Sequence, residues 1–317
     1  MDVHVDALKK IASLQRNVEK VIKGKTQVIR LAIITLLVRG HLLIEDVPGV
    51  GKTTLAHGLA RSINCSFRRI QFTSDMLPSD ILGVSVYNPG RQDFEFKPGP
   101  IFANVVLADE INRTPPKTQS ALLEAMNESQ ITLDKKTYPL PMPFIVMATQ
   151  NPLEYQGTFP LPESQLDRFM MRIRIGYPDI EDEKNILRTQ GLNSHIDDLA
   201  PAVSAEDIVR LQEAAHAISV DESLVDYILR IVRGTREAET LDVGVSPRGS
   251  LFLLKASKAM ALLQGRNYCI PDDIKEMAIP VLAHRVVPRS GLDGLSRGRD
   301  DTERIIRDIV EKAPVPL

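Results

Sequence analysis

The chain has 317 residues, of which 25% are charged and 43% are hydrophobic, and this composition is typical of a folded globular protein. Its length suits one large domain or two smaller ones. The formal net charge of −2 excludes an overall basic surface, so nucleic acid is disfavoured as a ligand, although a local basic stripe is compatible with this total.

The N-terminal segment MDVHVDALKKIASLQRNVEK is charged and helix-like, and it lacks the apolar centre of a signal peptide. No later segment approaches the roughly 18 uninterrupted apolar residues of a membrane-spanning helix. These features favour a cytoplasmic protein without a membrane span. Cys65 and Cys269 lie far apart and lack the paired spacing of a zinc site, so we interpret both as reduced, packed thiols.

Between about residues 26 and 178, short apolar runs alternate with helical patterns. In chain order these are LLIEDV, GKTTLAHGLARSI, FRRIQF, NVVLADE, PPKTQSALLEAMNES and PFIVMATQN. Such alternation predicts a parallel β-sheet with helical crossovers. From about residue 192 onward only amphipathic helices are predicted, as in SAEDIVRLQEAAHAI and DESLVDYILRIVRGTREA. We therefore predict an α/β domain over residues 1–191 and an all-α domain over residues 192–317.

The segment IEDVPGVGKTTLAHGLA nearly matches the phosphate-binding pattern G-x-x-x-x-G-K-[ST]. Asp46 replaces the first glycine, and Asp is among the residues that tolerate left-handed backbone angles. Gly49 and Gly51 allow backbone N–H groups to face phosphate oxygens. Lys52 can reach the β and γ phosphates, and the Thr53 hydroxyl can bind Mg²⁺. The strand-to-helix context adds the attraction of a helix N-terminus for anions, whereas a chance glycine turn is the alternative. The predicted nucleotide-binding residues are Pro48, Gly49, Val50, Gly51, Lys52, Thr53 and Thr54.

Two later segments predict β-hairpins. Residues 84–87 and 94–96 alternate apolar and polar side chains on either side of the turn NPGR. A second hairpin is predicted between Gln130 and Tyr138, with its tip near the sequence DKK. Such hairpins either project toward one face or the pore of an assembly, or they only stabilise the subunit.

The run NVVLA predicts a buried strand that ends at Asp109 and Glu110. Open α/β sheets bind ligands at the carboxyl ends of their strands. Asp109 would hold the water shell of Mg²⁺, and Glu110 would be the base that polarises the attacking water. A solvated acidic turn is the alternative. The strand FIVMA is followed by TQNP, in which Asn151 either orients water beside the γ phosphate or simply belongs to a turn.

Three long motifs carry a family resemblance: LADEINRTPPKTQSALLEAMNESQITLD, ATQNPLEYQGTFPLPESQLDRF and GVSPRGS. The chain resembles the MoxR family of AAA+ ATPases over almost its whole length, from VIKGK to LAHRV. The resemblance implies a five-stranded α/β nucleotide domain, a helical lid and a ring that is usually hexameric. It also implies ATP and Mg²⁺ as cofactors, and the two hairpins are similar to the helix-2 insert and the pre-sensor-1 insertion of related ATPases.

The same resemblance implies roles for individual residues. Asn151 matches the sensor-1 position, Arg248 the sensor-2 position, and Arg168 the arginine finger of related ring ATPases. Val21 and Ile22 would contact the adenine, although a helix end with core residues would look the same.

General chemistry supports the implied roles of the two arginines. Ser246 and Pro247 have the form of a helix start. Arg248 opposes the helix dipole there, so a nearby anion such as the γ phosphate would explain its position, and an exposed arginine without a role is the alternative. Arg168 can reach a neighbour's phosphate only in an oligomer. Otherwise it would pair with Asp167 on the surface.

The resemblance implies a Mg²⁺-dependent ATPase that drives mechanical change in a client. Partners of the family are commonly proteins with von Willebrand factor A domains, and its proposed roles are chaperone-like, in maturation, assembly or metal insertion. One alternative is a nucleic-acid motor that uses Lys135 and Lys136 at the hairpin tip. Another is a slow ATP-dependent switch, although the presence of Glu110 argues for hydrolysis. The sequence identifies no particular client.

Overall fold

The computed structural model describes residues 3–152, 157–188, 196–289 and 299–316. Its helices are α1 (Val3–Glu19), α2 (Thr26–Leu37), α3 (Lys52–Ser62), α4 (Pro78–Leu82), α5 (Pro116–Glu128), α6 (Glu163–Leu166), α7 (Ile180–Arg188), α8 (Ala205–Ala217), α9 (Glu222–Glu237), α10 (Pro247–Leu263), α11 (Pro271–Leu282) and α12 (Arg299–Lys312), with a short 3-10 helix over Ile111–Arg113. Its strands are β1 (Leu42–Glu45), β2 (Phe67–Gln71), β3 (Gly83–Asn88), β4 (Asp93–Pro98), β5 (Val105–Asp109), β6 (Gln130–Leu133), β7 (Lys136–Pro139), β8 (Ile145–Gln150), β9 (Met171–Ile173), β10 (Leu241–Val243) and β11 (Val287–Pro288).

Five strands form one parallel sheet in the order β2-β5-β8-β1-β9. The inner strands β5 and β8 are apolar and buried over almost their whole length. Strands covered on both faces have this pattern. The predicted five-stranded α/β fold is therefore confirmed, and the carboxyl ends of all five strands meet at one edge.

Successive residues of the inner strands enter two different cores, because their side chains point to opposite faces of the sheet. Val105 and Leu107 of β5 belong to a large core that also contains residues of α1, α2 and α3. Val106 and Ala108 belong to a smaller core with residues of α5. The large core continues into α8, α9, α10 and α11. The α/β region and the C-terminal helices therefore share one core.

The C-terminal region is helical, as predicted, and α8 and α10 begin at serine caps. The hydroxyls of Ser204 and Ser246 accept hydrogen bonds from backbone N–H groups in the first turns of α8 and α10. The Gln212 side chain of α8 donates to the carbonyl of Leu36 at 2.8 Å, which joins this region to α2. The expectation that strands end near residue 192 needs one correction, because β10 and β11 form an antiparallel pair. Both strands are too short to produce an alternating pattern.

The predicted domain boundary between residues 191 and 192 lies outside the described residues. On its N-terminal side, α7 leaves the end of β9 and has no buried residue, with Ile180 and Leu187 both exposed.

Both predicted hairpins are present. The β3–β4 hairpin and the β6–β7 hairpin are regular antiparallel pairs. Asp134 and Lys135 at the second tip have φ values of 49° and 65°, as two-residue hairpin turns require. The hairpins contact each other through the stacked rings of Phe96 and Tyr138, whose centroids are 4.1 Å apart. Phe94, which precedes Phe96 by two residues in β4, is 64% exposed.

Across residues 3–152, 157–188, 196–289 and 299–316, no helix is both long and apolar enough to cross a membrane. Both cysteines are free thiols, as the sequence predicted. Burial raises the pKa of Cys65 to about 11 and that of Cys269 to about 12, so both are unreactive at neutral pH.

Candidate nucleotide site

The loop between β1 and α3 has the backbone geometry of an anion cradle. Gly49 and Gly51 have φ values of 85° and 96°, a conformation that residues with a Cβ atom rarely adopt. Gly51 is the N-cap of α3, and no side chain caps this helix. The N-terminus of α3 therefore attracts an anionic ligand through the helix dipole.

Asp46 has a structural role that the sequence did not reveal. Its Oδ2 atom accepts hydrogen bonds from the backbone N–H groups of Ile175 and Gly176, each at 2.7 Å, and Oδ1 accepts from the N–H of Val47 at 2.9 Å. Asp46 is buried and is not among the residues with positive φ, so tolerance of left-handed angles does not explain it. The carboxylate joins the start of the phosphate-binding loop to the segment that follows β9.

A cavity of about 290 Å³ brings together most of the predicted site residues. It is lined by Pro48, Gly49, Gly51, Lys52, Thr53, Thr54, Arg69, Asp109, Glu110 and Asn151. The Nζ atom of Lys52 donates to the carbonyl of Asp46 at 2.5 Å, which places the ammonium group over the loop. Val50 does not line the cavity and is buried beneath the loop. Residues of the loop, the two acidic residues and Asn151, which follows β8, therefore line one cavity.

The end of β8 holds the two acidic residues in place. The Thr149 hydroxyl donates to Oδ1 of Asp109 at 2.6 Å and accepts from the backbone N–H of Glu110 at 2.8 Å. Thr149 is fully buried. The sequence placed it after the strand, whereas β8 extends through Gln150 and brings Thr149 beside β5. Glu110 has a φ of 57°, which turns the chain sharply at the point where the carboxylate leaves the sheet.

Three further side chains contact the acidic pair, and sequence reasoning missed all of them. Arg69 of β2 donates to Oδ2 of Asp109 through Nε at 3.0 Å and Nη2 at 2.6 Å. Gln71 donates to Oε2 of Glu110 at 3.0 Å, and Arg113 pairs with the same oxygen at 2.9 Å. The one available signal was the polar side chains in FRRIQF, since Arg69 and Gln71 share one face of β2.

Arg168 and Arg248 line a second cavity of about 470 Å³. Its other lining residues are Ser120, Leu123, Glu124, Asn127, Glu128 and Gln165. The guanidinium group of Arg168 donates to the carbonyl of Leu123 at 3.2 Å. The linings of the two cavities have no residue in common. Arg248, at the start of α10, therefore lies beside residues of α5 in the second cavity and is not in the lining of the first.

Asp167 does not serve as a surface partner for Arg168. Its carboxylate accepts from the hydroxyl of Ser246 at 3.0 Å and forms an ion pair with Nε of Arg285 at 3.1 Å. Arg285 is buried, and burial lowers the pKa of its guanidinium to about 10. Asp167 thus joins α6 to the N-cap of α10, and this contact holds Arg168 and Arg248 on the same side of the subunit.

The two predicted adenine contacts lie near the loop but are largely in the core. Ile22 is buried, and its Cδ1 atom would lie 3.4 Å from a Cβ atom added to Gly51. Val21 packs against α3 at Gly58. Neither residue lines the cavity of about 290 Å³.

A phosphate-binding loop, an acidic pair on the neighbouring strand end and a helical lid define the chain as an AAA+ ATPase. Residues 41–171 match the model of the ATPase family associated with various cellular activities, and residues 233–309 match the AAA lid domain. The chain belongs to the MoxR family, because it is 44% identical to the chaperone MoxR1 of Mycobacterium tuberculosis, over 85% of this chain and 74% of that protein.

Two further likenesses extend over nearly the whole chain. The protein MoxR of Methylorubrum extorquens is 30% identical, over 96% of this chain and 95% of that protein. The crystal structure of a candidate ATPase from Cytophaga hutchinsonii has a TM-score of 0.90 and 39% identity, covering 100% of this chain and 98% of the other. The predicted family, fold and ATPase activity are therefore confirmed.

Proposed function

We propose that this chain binds Mg-ATP in the first cavity and hydrolyses it in a head-to-tail ring, of which the family resemblance makes a hexamer the expected form. The ring would use hydrolysis to remodel partner proteins. One observation carries the proposal: the phosphate cradle and the acidic pair lie in one cavity, whereas Arg168 and Arg248 lie in another. A heterologous interface joins two different surfaces of identical subunits, so it can complete the first cavity of one chain with the second cavity of its neighbour.

The side chains around the first cavity fit a magnesium ion. Mg²⁺ prefers oxygen ligands and keeps several of its waters. The Thr53 hydroxyl and the Asp109 carboxylate supply such oxygens in the lining of the same cavity. An ion held by Thr53 and Asp109 would supply positive charge that neutralises the charge developing on the phosphates.

The chain's own residues would divide the remaining work. The N–H groups at Gly49 and Gly51 and the ammonium group of Lys52 would bind the phosphates. Glu110 would accept a proton from the attacking water, and Asn151 would orient that water beside the γ phosphate. Val21 and Ile22 would contact the adenine through apolar surface.

The arginines of the second cavity would act on a neighbouring chain. Arg168 would stabilise transition-state charge on the γ phosphate, as arginine fingers do. Arg248 would reach the same phosphate from the start of α10, where an anion offsets its unfavourable position in the helix dipole. The contact of Asp167 with Ser246 would keep both guanidinium groups aimed at one interface.

The client is proposed to be a protein complex. The relative from Mycobacterium tuberculosis is named as a chaperone. The exposed aromatic residues Tyr87 and Phe94 on the first hairpin offer apolar contact to a protein surface. By family resemblance the partner would carry a von Willebrand factor A domain, and the work would be maturation, assembly or metal insertion. A cytoplasmic location stays a prediction from the sequence.

Trapping the client tests this proposal. The Glu110→Gln variant should bind ATP, hydrolyse it very slowly and retain its client, which mass spectrometry of a pull-down would identify. Lys52→Ala is the matched control, because it should retain nothing that depends on ATP. ATP-dependent recovery of one protein complex supports the proposal. Recovery of DNA or RNA, with salt-sensitive stimulation of ATPase turnover by single-stranded DNA, would favour the nucleic-acid motor instead.

A further inference from the structure

Arg69 is hydrogen-bonded to the carboxylate of Asp109, which we assign to the magnesium site. Two of its N–H groups donate to Oδ2 of Asp109, at 3.0 and 2.6 Å, while the Thr149 hydroxyl donates to Oδ1 at 2.6 Å. A carboxylate oxygen has two lone pairs, so the guanidinium group takes both of those on Oδ2. The side-chain oxygen of Gln71 accepts from Nη2 of Arg69 at 2.7 Å and so orients the guanidinium toward Asp109.

The contact is arranged so that the arginine can leave while the carboxylate stays in place. The Arg69 side chain is 50% exposed, whereas that of Asp109 is 14% exposed. β2 lies at the edge of the sheet, so solvent is available beside the guanidinium group. Ion pairs with an exposed member are weak, because water readily replaces the partner.

We infer that Arg69 is an exchangeable counter-cation for Asp109. It neutralises Asp109 while the site holds no metal, and it leaves that carboxylate when Mg²⁺ arrives with the nucleotide. The inference rests on the proposed magnesium site. Arg69 and Mg²⁺ compete, because two positive charges close to one carboxylate repel each other. Without metal, the arginine prevents Asp109 from repelling the phosphates. Arg69 is therefore a positioning residue that sets how strongly nucleotide binding depends on magnesium.

The test compares the affinity of the full chain for a fluorescent ADP analogue in Mg²⁺ and in EDTA. In Arg69→Gln the affinity in EDTA should fall about tenfold, because Asp109 then faces the phosphates without a counter-cation. The affinity in Mg²⁺ should change less than about threefold, since the metal then neutralises Asp109. Arg68→Gln is the matched control, because Arg68 is the preceding residue of β2 and lies on the opposite face. Arg69→Lys keeps the charge and should retain most of the wild-type ratio.

The Asp109→Asn variant separates this inference from the function on which it rests. If Asp109 serves the metal, Asp109→Asn should by itself reduce the effect of magnesium, and adding Arg69→Gln should change the ratio no further. A magnesium effect as large in Asp109→Asn as in wild type overturns both the assignment of Asp109 to the metal and the role of Arg69. If Asp109→Asn removes the effect while Arg69→Gln behaves like Arg68→Gln, the inference alone is wrong. Thermal unfolding of each variant confirms that it is folded.

Discussion

The two cavities of the chain differ in what each can do with a phosphate. The first supplies backbone N–H groups, Lys52 and the carboxylates of Asp109 and Glu110. The second supplies Arg168 and Arg248, next to carboxylates on α5 and without a loop of inward-facing N–H groups. Among the described residues, the one guanidinium group in the lining of the first cavity, that of Arg69, is paired with Asp109, whereas the lining of the second contains two guanidinium groups. Under the proposed function, oligomerisation is therefore a chemical requirement for catalysis as well as a mechanical one.

The largest effect on ATPase activity is expected when the first cavity is inactivated in one chain and the second cavity in another. Arg168→Ala subunits should bind ATP normally but hydrolyse it about 10³ to 10⁵ times more slowly, because an arginine finger stabilises the transition state. Glu110→Gln subunits should also be nearly inactive, through their own first cavity. Mixing the two creates interfaces with an intact Glu110 on one side and an intact Arg168 on the other, so ATPase activity should exceed the sum of the separate proteins.

Arg307→Ala is the control for this experiment, because Arg307 is an exposed arginine on α12. The proposed role of Arg168 in a neighbouring active site is contradicted if Arg168→Ala alone hydrolyses ATP at the wild-type rate. The same role is contradicted if mixed rings demonstrably form and no ATPase activity returns at any ratio of the two variants.

Removing the ammonium group of Lys52 from the first cavity should weaken nucleotide binding itself. Lys52→Ala should weaken ATP binding by roughly 100-fold or more, because it removes a charge-assisted contact to the phosphates. The free energy of unfolding should change little, since the ammonium group faces the cavity. A nucleotide titration measures the loss, with the exposed Lys9→Ala variant as the control. Unchanged affinity of Lys52→Ala for ATP would contradict the assignment of the phosphate-binding loop.

His41 connects elements that form the two cavities. Its protonation should therefore weaken the packing of these elements against each other. It lies just before β1, its Nδ1 atom accepts from the N–H of Val146 in β8, and its Nε2 atom contacts the carbonyl of Met126 in α5. Burial lowers the pKa of His41 to about 4, below the value of about 6.5 expected in the unfolded chain. The unfolded state therefore takes up the proton first as the pH falls.

The contribution of His41 is fully present above about pH 6.5 and is lost as the pH falls toward about 4. Between pH 7.5 and pH 5.0 the loss should be about 2 kcal/mol. Urea unfolding should show that the stability difference between wild type and His41→Gln shrinks by this amount over that interval. The exposed His216→Gln variant should follow the wild-type pH dependence, and an unchanged difference for His41→Gln would contradict the burial argument.

The smallest effect is expected at Asp46, which supports the first cavity without facing the nucleotide. Asp46→Gly restores the usual loop pattern but leaves the N–H groups of Ile175 and Gly176 without their acceptor. It should lower the free energy of unfolding by roughly 1–2 kcal/mol while changing ATP affinity less than about threefold. Asp46→Asn keeps an acceptor oxygen and should lose less. If Asp46→Gly is as stable as wild type in urea unfolding, the carboxylate does not contribute to the fold as described.

Features encoded within one segment could be predicted from the sequence, and features that depend on neighbouring strands could not. The glycines at 49 and 51, the acidic pair and both hairpins are local patterns, and all lie where they were expected. Arg69 and Thr149 reach Asp109 from opposite sides, because β5 lies between β2 and β8 in the sheet. The spacing of residues along the chain does not reveal the order of the strands in the sheet.

The position of Arg248 could not be predicted from the sequence for a different reason. Ser246 correctly marked the start of α10, but the contact of that helix start with Asp167 is set by how the lid packs on the α/β region. Likewise, the reason for an aspartate at position 46 lies in the segment that follows β9, which is remote in sequence and adjacent in space.

The large core that runs from α1 and the central sheet into the lid helices has a thermodynamic consequence. Elements that share this large core are expected to unfold together, so cutting the chain between the α/β region and the lid would leave both fragments with exposed apolar surface. A ligand bound only at the loop before α3 then stabilises every element in that cooperative unit. At a ligand concentration about 100 times Kd the gain is about 2.7 kcal/mol, and slower amide exchange in α10 and α11 would report it far from the nucleotide.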